Sequence, residues 1–524
     1  MPETLPHAGA PAPGATADAA ASDTPKNIVL ICADQWRGDC LGAHDHPVVH
    51  TPFIDQLATS GVDCTNAYVA NPTCVPARVS LITGLSAQNH RRVGYQDGVP
   101  FDIENTLPAV LSAAGYQTQA VGKMHYFPDR ARCGFDNVIL HDGYLHSERK
   151  GRRDVRFYDD YSAWLQQHTD TAVDYIDNGL ECNSLIARPW DKDERLHPTN
   201  WVTEQSIEWL YRRDPTAPFF LYVSYHRPHA PYDPPQWAWD LFHTMPEEEL
   251  VELEECDWYP HFEQWYQHHD PAALVTDPGM TQRRRALAGY YASMAHIDLQ
   301  VSRLRQALYE FDVLDNTLVV FTSDHGDMMG QYNLWRKGFP YEGSARVPLI
   351  LSGGGVDTRT EERLIEIRDL MPTLLDYAGV DIPPEVEGRS FLCPAQPQAE
   401  DTAPQAKDTA PQPWREQLHG EHYLFGQSIQ WIRWQDYKYI WFSQDGYEQL
   451  FNLKKDPRES HNLLTPEPAA WSEQTRQARN HGRNLLITHL TGREEGFVAN
   501  GALVAGREAT CLLSRSTPLP PQLQ

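Results

Sequence analysis

The chain has 524 residues, of which 41% are hydrophobic, enough for one large domain with a smaller one beside it. Its 71 acidic residues outnumber the 44 basic ones and give a formal net charge of −27, which argues against a general role in binding nucleic acid or anionic membranes. No run approaches the ~18–20 consecutive apolar residues of a membrane-spanning helix. Because the chain is strongly acidic, an anionic substrate would need a locally positive pocket.

The N-terminal segment, "MPETLPHAGAPAPGATADAAASDTPK", has neither the basic nor the apolar region of a signal peptide. We expect residues 1–25 to form a disordered leader rich in Ala and Pro. The nine cysteines are odd in number and lack C-x-x-C spacing, which argues against a disulfide framework or a zinc knuckle. These features predict a protein of the reducing cytoplasm.

Continuous apolar runs predict strands that are buried on both faces, as in a parallel sheet. Helical patterns lie between these runs, the longest at Ala286–Phe311. Strands that alternate with helices predict an α/β fold. The predicted strands are Asn27–Ala33, Gln117–Val121, Phe219–Tyr225, Thr317–Ser323 and Val347–Leu351.

Polar side chains follow four of these runs, at the point where each strand ends. In open α/β sheets ligands bind outside the carboxyl ends of the strands, so four such clusters should meet in one site. In chain order the clusters are Asp34 and Gln35, Lys123 and His125, His226 and His229, and Asp324, His325 and Asp327.

The chain changes character after about residue 385. The stretch 386–416 is rich in Pro, Ala and Gln and repeats the pentapeptide DTAPQ, which predicts a low-complexity insertion. The aromatic-rich run Ser428–Leu453 contains a "QDG" turn and predicts a small antiparallel sheet. We therefore expect a main domain over 26–385, a C-terminal subdomain and tail over 417–515, and a frayed end over 516–524.

Two carboxylates, an amide and an imidazole at the predicted site suit a divalent cation. Asp34, Gln35 and Asp324 offer oxygens for Ca²⁺ or Mg²⁺, and His325 leaves room for Mn²⁺. Each carboxylate alone could instead cap a helix or turn. Cys74 has two interpretations as well: a small buried hydrophobe, or a thiolate nucleophile at the start of a helical run.

The segment "CVPAR", from Cys74 to Arg78, resembles the C-x-P-x-R signature of type I sulfatases in the alkaline phosphatase superfamily. Further motifs of that family follow in the same order: "LITG", "GKMH", "HRPHAPYDPP", "SDHGDMMG", "LWRKG" and "LFNLKKDPRESHNL". The resemblance covers residues 26 to 465. It implies a large mixed, mostly parallel sheet sandwiched by helices, with a smaller C-terminal antiparallel sheet.

The resemblance also implies a role for each site residue. Cys74, converted to formylglycine by a dedicated maturation enzyme, would be the nucleophile as its hydrate and a ligand of one divalent cation. Ca²⁺ is the implied cation, with Mn²⁺ and Mg²⁺ as alternatives. The implied roles are metal binding by Asp34, Gln35, Asp324 and His325, orientation of the hydrate by Arg78, binding of sulfate oxygens by Lys123 and Lys337, and proton transfer by His125 and His229.

Two departures from the common family pattern keep alternatives open. Many members have Asp in place of Gln35 and Asn in place of His325, and the versions found here resemble choline-sulfatases and phosphonate monoester hydrolases. The Lys-x-His of Lys123 and His125 favours a sulfate monoester. A phosphonate monoester or phosphodiester hydrolase on the same scaffold is the alternative, and a non-catalytic, metal-stabilised binding protein is a second one.

The alcohol part of the substrate stays open among aryl, sugar and choline-like groups. The aromatic segment Glu254–His269 could form a lid over such a group, or an amphipathic surface insertion whose aromatics pack on the sheet domain. The expected partners are a small sulfated substrate and the maturation enzyme, with a homo-oligomer left open. His226 is left open between a structural and a functional role.

Overall fold

The computed structural model describes most of the chain. Predicted regions 1–25 and 516–524 lie outside the described residues, as does 394–413 of the low-complexity insertion. The described residues are 26–143, 158–169, 178–246, 255–268, 270–393, 414–465 and 467–514.

A sheet of eight strands forms the centre of the larger domain, in the order β5-β4-β6-β1-β7-β8-β2-β9. Pairing is parallel from β5 through β7 and antiparallel on both sides of β8. The strands are β1 Asn27–Asp34, β2 Gly61–Cys64, β3 Ala67–Tyr68, β4 Gln117–Gly122, β5 Asn137–Leu140, β6 Phe219–Pro228, β7 Thr317–Thr322, β8 Leu349–Gly353, β9 Arg359–Glu361 and β10 Ile365–Glu366. The short β3 and β10 pair with each other.

Helices cover both faces of this sheet. They are α1 Pro52–Thr59, α2 Cys74–Thr83, α3 Ala87–His90, α4 Leu107–Ala113, α5 Asp160–Gln167, α6 Pro198–Arg212, α7 Gln236–Phe242, α8 Met280–Glu310, α9 Glu342–Ala345 and α10 Leu370–Ala378. None of the helices in the described part of the chain is long and apolar enough to cross a membrane.

Alternation along β1 explains the two helical layers. Val29 and Ile31 belong to the core beneath α1, α5, α6, α7 and α8, whereas Ile28 and Leu30 belong to the core beneath α2, α4 and α10. Successive side chains of a strand point to opposite faces, so a continuous apolar run supplies both cores. The predicted α/β fold with a large mixed, mostly parallel sheet is confirmed. The run at Val347–Leu351 forms β8, which is doubly buried as predicted but runs antiparallel.

The C-terminal subdomain is a four-stranded antiparallel sheet with one long helix. Its strands are β11 Gln417–Leu424, β12 Gln427–Trp434, β13 Tyr437–Phe442 and β14 Glu448–Asn452, followed by helix α11 Glu473–Leu490 and the hairpin of β15 Val498–Ala499 and β16 Ala502–Leu503. One face of the sheet packs against α11, and the other against the larger domain. The predicted small antiparallel sheet is confirmed.

The chain segment before the low-complexity insertion packs into the larger domain. Phe391 has no exposed surface and belongs to the core beneath α2 and α10, and the Arg359 guanidinium donates to its carbonyl at 2.8 Å. Packed structure therefore extends into the range 386–393, which the sequence prediction had assigned to the insertion. The amino-acid composition changes earlier than the packing does.

The aromatic segment 255–268 fills the joint between the two domains. Trp258 stacks on Tyr341 with ring centroids 4.5 Å apart, and its indole N–H donates to the Glu459 carbonyl at 2.7 Å. Phe262 is fully buried in the same cluster, which includes Phe451 of β14. Of the two hypotheses for this segment, the described residues agree with aromatics that pack on a sheet. The sheet is that of the C-terminal subdomain and not the one in the larger domain.

Trp258→Ala should lower the free energy of unfolding by about 3–5 kcal/mol, because it opens a large cavity at the joint. Trp237→Ala is the control, since Trp237 is 36% exposed and its loss should cost less than about 1 kcal/mol. Chemical denaturation of both variants measures the difference. Equal stability of the two would show that the joint does not depend on Trp258.

Candidate active site

The predicted site residues meet at the carboxyl edge of the central strands. Asp34 is the last residue of β1, Lys123 follows β4 directly, and Asp324 lies two residues beyond β7. His229 follows β6, and its backbone N–H donates to the Asp34 carbonyl at 3.1 Å. The four clusters come together because β4, β6, β1 and β7 are consecutive parallel strands.

Two buried carboxylates face two buried cations in this site. Asp34 and Asp324 have no exposed surface. The Arg78 Nε–H donates to Asp324 Oδ2 at 2.8 Å, and the Lys123 ammonium pairs with Asp34. Burial alone would raise the pKa of Asp34, but the charges of Lys123, His325 and Arg78 hold it well below its ordinary value. The Asp34 carboxylate is thus kept as an acceptor or ligand.

Cys74 is the first residue of α2 and lies among these charges. Its Sγ is 3.1 Å from His325 Nε2, 3.8 Å from Lys123 Nζ and 3.9 Å from Asp34 Oδ1. Burial and Asp34 act to raise the pKa of the thiol, while Lys123, Lys337 and His325 lower it, and the net pKa lies below its ordinary value. The site favours negative charge at residue 74.

One donor set suits a hard divalent cation. Side-chain donors of Asp34, Cys74, Asp324 and His325 all lie within 4.8 Å of one another. The His325 Nδ1–H donates to the Gly326 carbonyl at 2.9 Å, so Nε2 is the nitrogen that faces the cluster, as in a metal-binding histidine. Two carboxylate oxygens beside this imidazole fit Ca²⁺ or Mn²⁺.

Gln35 adds an amide oxygen to the donor set. Its side-chain N–H donates to Asp327, which leaves Oε1 as the inward acceptor, and Lys337 Nζ donates to that oxygen at 2.8 Å. The backbone of Gln35 has a φ of 73°, and its N–H donates to Asp324 Oδ1 at 3.2 Å. A left-handed non-glycine residue is strained, and surrounding bonds hold it in place.

A second group with metal-ligating atoms lies beside the first. Donor atoms of Cys182, His226 and His229 also lie within 4.8 Å of one another. This set has no carboxylate, and the neighbouring Arg227 contacts His226 Nδ1, so it is a poorer match for a hard cation. The His226 ring lies 4.9 Å from that of His229, between centroids, which places it beside the site.

Lys123 and His125 are held by a carboxylate from the neighbouring strand. Asp142 follows β5, and its Oδ1 accepts the backbone N–H groups of Met124 at 2.7 Å and His125 at 2.8 Å. His125 has a φ of 59°, a left-handed conformation that these two hydrogen bonds support. Lys123 reaches Asp34 and Cys74 from this turn, whereas the His125 ring lies beside Tyr95, with Nε2 3.5 Å from the tyrosine hydroxyl.

His229 and Lys337 form a hydrogen-bonded pair. The His229 Nδ1–H donates to the Ala230 carbonyl at 2.7 Å, and Nε2 accepts from Lys337 Nζ at 2.6 Å. Burial, and then the charge of Lys337, lower the pKa of His229 well below its ordinary value. The lowered pKa favours the neutral imidazole, whose Nε2 is the acceptor in this pair.

Several residues that support the site were not among the predicted site residues. Asp327 was noted in "SDHGD" without a role, and it fixes the amide of Gln35. Asp142 stands in "HDG", which gave no signal because its bonds are to backbone. Tyr290 of α8 donates its hydroxyl to the Gln35 carbonyl at 2.6 Å, a contact across 255 residues that sequence spacing does not reveal.

Comparison with known proteins places this site in a family context. A family model described as "Sulfatase" matches residues 26–380, and one described as "N-sulphoglucosamine sulphohydrolase, C-terminal" matches residues 330–478. The chain is 43% identical to an arylsulfatase from Clostridium perfringens, over 93% of this chain and 98% of that protein. It is 31% identical to a choline-sulfatase from Rhizobium meliloti, over 83% and 82%.

Solved structures show the same architecture. A phosphonate monoester hydrolase of Agrobacterium radiobacter superposes with a TM-score of 0.70 at 25% identity, covering 88% of this chain and 95% of that one. A protein solved in complex with its substrate D-glucosamine-2-N,6-O-disulfate superposes with a TM-score of 0.65 at 20% identity, covering 89% and 98%. The second likeness concerns the fold alone.

The donor set predicts a cation-dependent gain in stability. Adding Ca²⁺ or Mn²⁺ to metal-free protein should raise its Tm, since a ligand of the native state stabilises it by mass action. Asp324→Asn keeps hydrogen-bond acceptors for Arg78 and Gln35 but removes the charge, and should abolish most of this rise. Asp298→Asn is the control, a buried carboxylate that caps α1 away from the site. An undiminished rise in the Asp324 variant would refute the assignment.

Proposed function

The chain belongs to the sulfatase family and hydrolyses a sulfate ester, and we propose that it does so through formylglycine hydrate at position 74 and one divalent cation. The observation that carries the proposal is the position of Cys74. The "CVPAR" cysteine begins α2 within 3.9 Å of a carboxylate, an ammonium and an imidazole, in a set of donors that suits a hard cation.

The cation would be held by one side of the site. Asp34, Gln35, Asp324 and His325 are the proposed ligands, and Ca²⁺ is the proposed ion, with Mn²⁺ and Mg²⁺ as alternatives. When bound, such an ion acts as a Lewis acid that neutralises charge on the sulfuryl oxygens. Asp327 and Tyr290 keep Gln35 oriented for this role.

Position 74 is proposed to supply the nucleophile. A formylglycine hydrate carries two hydroxyls on one carbon, one to attack sulfur and a second whose deprotonation releases sulfate. A serine or cysteine has no second hydroxyl for that release. Arg78 lies one turn along α2, and its guanidinium, fixed by Asp324, Ser224 and the Lys123 carbonyl, orients the residue.

Two lysines counter the charge of the sulfate group. Lys123 Nζ lies 3.8 Å from Cys74 Sγ, and Lys337 Nζ bridges Gln35 and His229. Both ammonium groups are held in place before substrate arrives, which is the condition for electrostatic stabilisation of a transition state. They supply the locally positive pocket that a chain of net charge −27 needs for an anion.

Two histidines would handle the protons. Lys337 and His229 are hydrogen-bonded to each other, an arrangement that would suit passing a proton to the departing alcohol oxygen. His125, fixed by Asp142, would accept the proton of the second hydroxyl at position 74. The two roles lie on different strand ends, so attack and release use separate groups.

A second activity toward phosphonate monoesters is favoured by two observations. A phosphonate monoester hydrolase is among the structural neighbours, with a TM-score of 0.70. The chain is also 29% identical to a multifunctional alkaline phosphatase superfamily protein of Trinickia caryophylli, over 90% of its length. Gln at position 35 and His at position 325 resemble the pattern of phosphonate monoester hydrolases. The Lys-x-His of Lys123 and His125 favours a sulfate ester instead.

The proposal includes partners and a place in the cell. A small sulfated ester is the substrate, and a formylglycine-generating enzyme is the partner that would modify Cys74. Cytoplasmic location and a homo-oligomer stay predictions. All nine cysteines lie within the described residues, and each is a free thiol.

Peptide mass spectrometry of active protein should find residue 74 as formylglycine. Co-expression with a maturation enzyme should raise both the modified fraction and the specific activity in proportion. A second variant, Arg78→Lys, keeps the positive charge but changes the C-x-P-x-R motif and removes the guanidinium contacts. Full activity with an intact Cys74 thiol on every molecule would contradict the proposal.

Lys123→Ala should lower kcat/KM for a sulfate ester by something like 10²–10³-fold, the effect of removing one preorganised donor. The loss for a phosphonate monoester should be smaller, because Lys123 belongs to the sulfate-type pattern. The cation response of the Tm should persist. Equal losses for both esters, together with a lower Tm, would indicate that Lys123 merely braces its loop.

A further inference from the structure

Two buried polar side chains near the site have no role in the proposed mechanism. Asn71 is 2% exposed and His422 is 4% exposed. Within the described residues, neither polar atom of either side chain has a hydrogen-bond partner. Buried polar groups are nearly always hydrogen-bonded, since leaving them unpaired is costly. Four such atoms in two side chains require an explanation.

Both residues lie where the larger domain meets the C-terminal sheet beside the site. The Glu421 N–H of β11 donates to the Ala70 carbonyl at 2.8 Å, and the Gly338 N–H donates to the Pro72 carbonyl at 2.9 Å. Asn71 is therefore held between these two contacts, three residues before Cys74. The strand that carries His422 is attached to the same segment.

Gly338 lets the His422 ring come close to Lys337. A Cβ at Gly338 would lie 3.0 Å from His422 Cε1, and the φ of this glycine is 92°. A larger residue would therefore be strained there and would push the ring away. The imidazole packs directly against the backbone next to a proposed sulfate-binding lysine.

His422 and Asn71 are enclosed to the same degree as the residues that would act on substrate. His125 is 5% exposed and His229 is 3% exposed, close to the values for the two unpartnered side chains. Asn71 lies three residues before Cys74, and the His422 ring lies against Gly338, the residue after Lys337. The pair thus borders the reaction site and is not a remote part of the core.

The side chains of Asn71 and His422 are both uncharged. Burial, and then the charge of His325, lower the pKa of His422 to about 3, so its ring carries no charge at neutral pH. A neutral imidazole has one donor and one acceptor, and the Asn71 amide has both kinds as well. Such groups suit a hydroxyl, which also donates and accepts, better than a second anion or a quaternary ammonium.

We propose that Asn71 and His422 form a subsite that binds a hydroxyl group on the alcohol part of the sulfate ester. The inference rests on the proposed function and narrows its substrate class to esters of polyhydroxylated alcohols or phenols. A choline-like ester has no such hydroxyl to offer.

Two aryl sulfates that differ by one un-ionised hydroxyl test the subsite. Fully matured protein should hydrolyse 2-hydroxyphenyl sulfate with a kcat/KM at least about tenfold above that for phenyl sulfate, the effect of roughly one good hydrogen bond. His422→Ala and Asn71→Ala should each remove most of that preference, and phenyl sulfate turnover should change less than about threefold. Mass spectrometry of residue 74 corrects for altered maturation, because Asn71 lies near the motif.

His419→Ala is the matched control. His419 lies on the same strand, and its pKa is also lowered to about 3, chiefly by burial, but its ring bonds to Gln430 at 2.8 Å. The control should keep the preference for the hydroxylated ester. Equal losses on both esters in the His422 variant, or no loss on either, would overturn the subsite and leave only ordered water as its occupant. An inactive wild-type protein with formylglycine in place would instead contradict the proposed function.

Discussion

The burial of two carboxylates, Asp34 and Asp324, opposite two cations, Lys123 and Arg78, is the constraint on which the site depends. Removing a charge from water is expensive unless it is paired and hydrogen-bonded. Each of these four groups comes from a different segment of the chain, at three strand ends and on α2. The central sheet must therefore assemble in its observed order for any of them to be satisfied. The same arrangement holds Lys123 Nζ 3.8 Å from Cys74 Sγ.

The surrounding structure holds this cluster in place through backbone contacts. Asp142 fixes the turn that carries Lys123 and His125, and Asp327 fixes the amide of Gln35. The Arg227 guanidinium bonds the buried Asp233 carboxylate, which braces the loop that carries His229. Positive φ values at Gln35 and His125 show local strain that these bonds offset. Function thus depends on residues that never touch the reacting atoms.

The C-terminal subdomain contributes side chains both to the joint between the domains and to the neighbourhood of the site. Trp258 and Phe262 join it to the larger domain, and β11 attaches directly to the segment before Cys74. Through this contact the subdomain supplies His422 to the neighbourhood of the site. With the proposed subsite, specificity for the alcohol could change in the small sheet without disturbing the residues proposed to bind sulfate.

Local sequence patterns were sufficient for the main strands and for the polar clusters at their ends, because buried parallel strands are continuous apolar runs and their polar ends converge. The roles proposed for Cys74, Arg78 and Lys337 came from the family resemblance. They did not reveal the direction of β8, which periodicity does not encode, or the packing of Phe391, which lies in a stretch of mixed composition. Asp142 and Tyr290 were missed because their contacts are to backbone and span long sequence separations. Asn71 and His422 drew no attention, since only three-dimensional burial makes their lack of partners visible.

The most direct test of the central claim uses Cys74→Ser with an aryl sulfate. A serine hydroxyl in this pocket can attack sulfur, but it has no second hydroxyl to expel the sulfate. The account predicts about one equivalent of phenol released per site, with the sulfate retained on the side chain at position 74 in peptide mass spectra. Sustained turnover by this variant, with no sulfate attached at that position, would contradict the account.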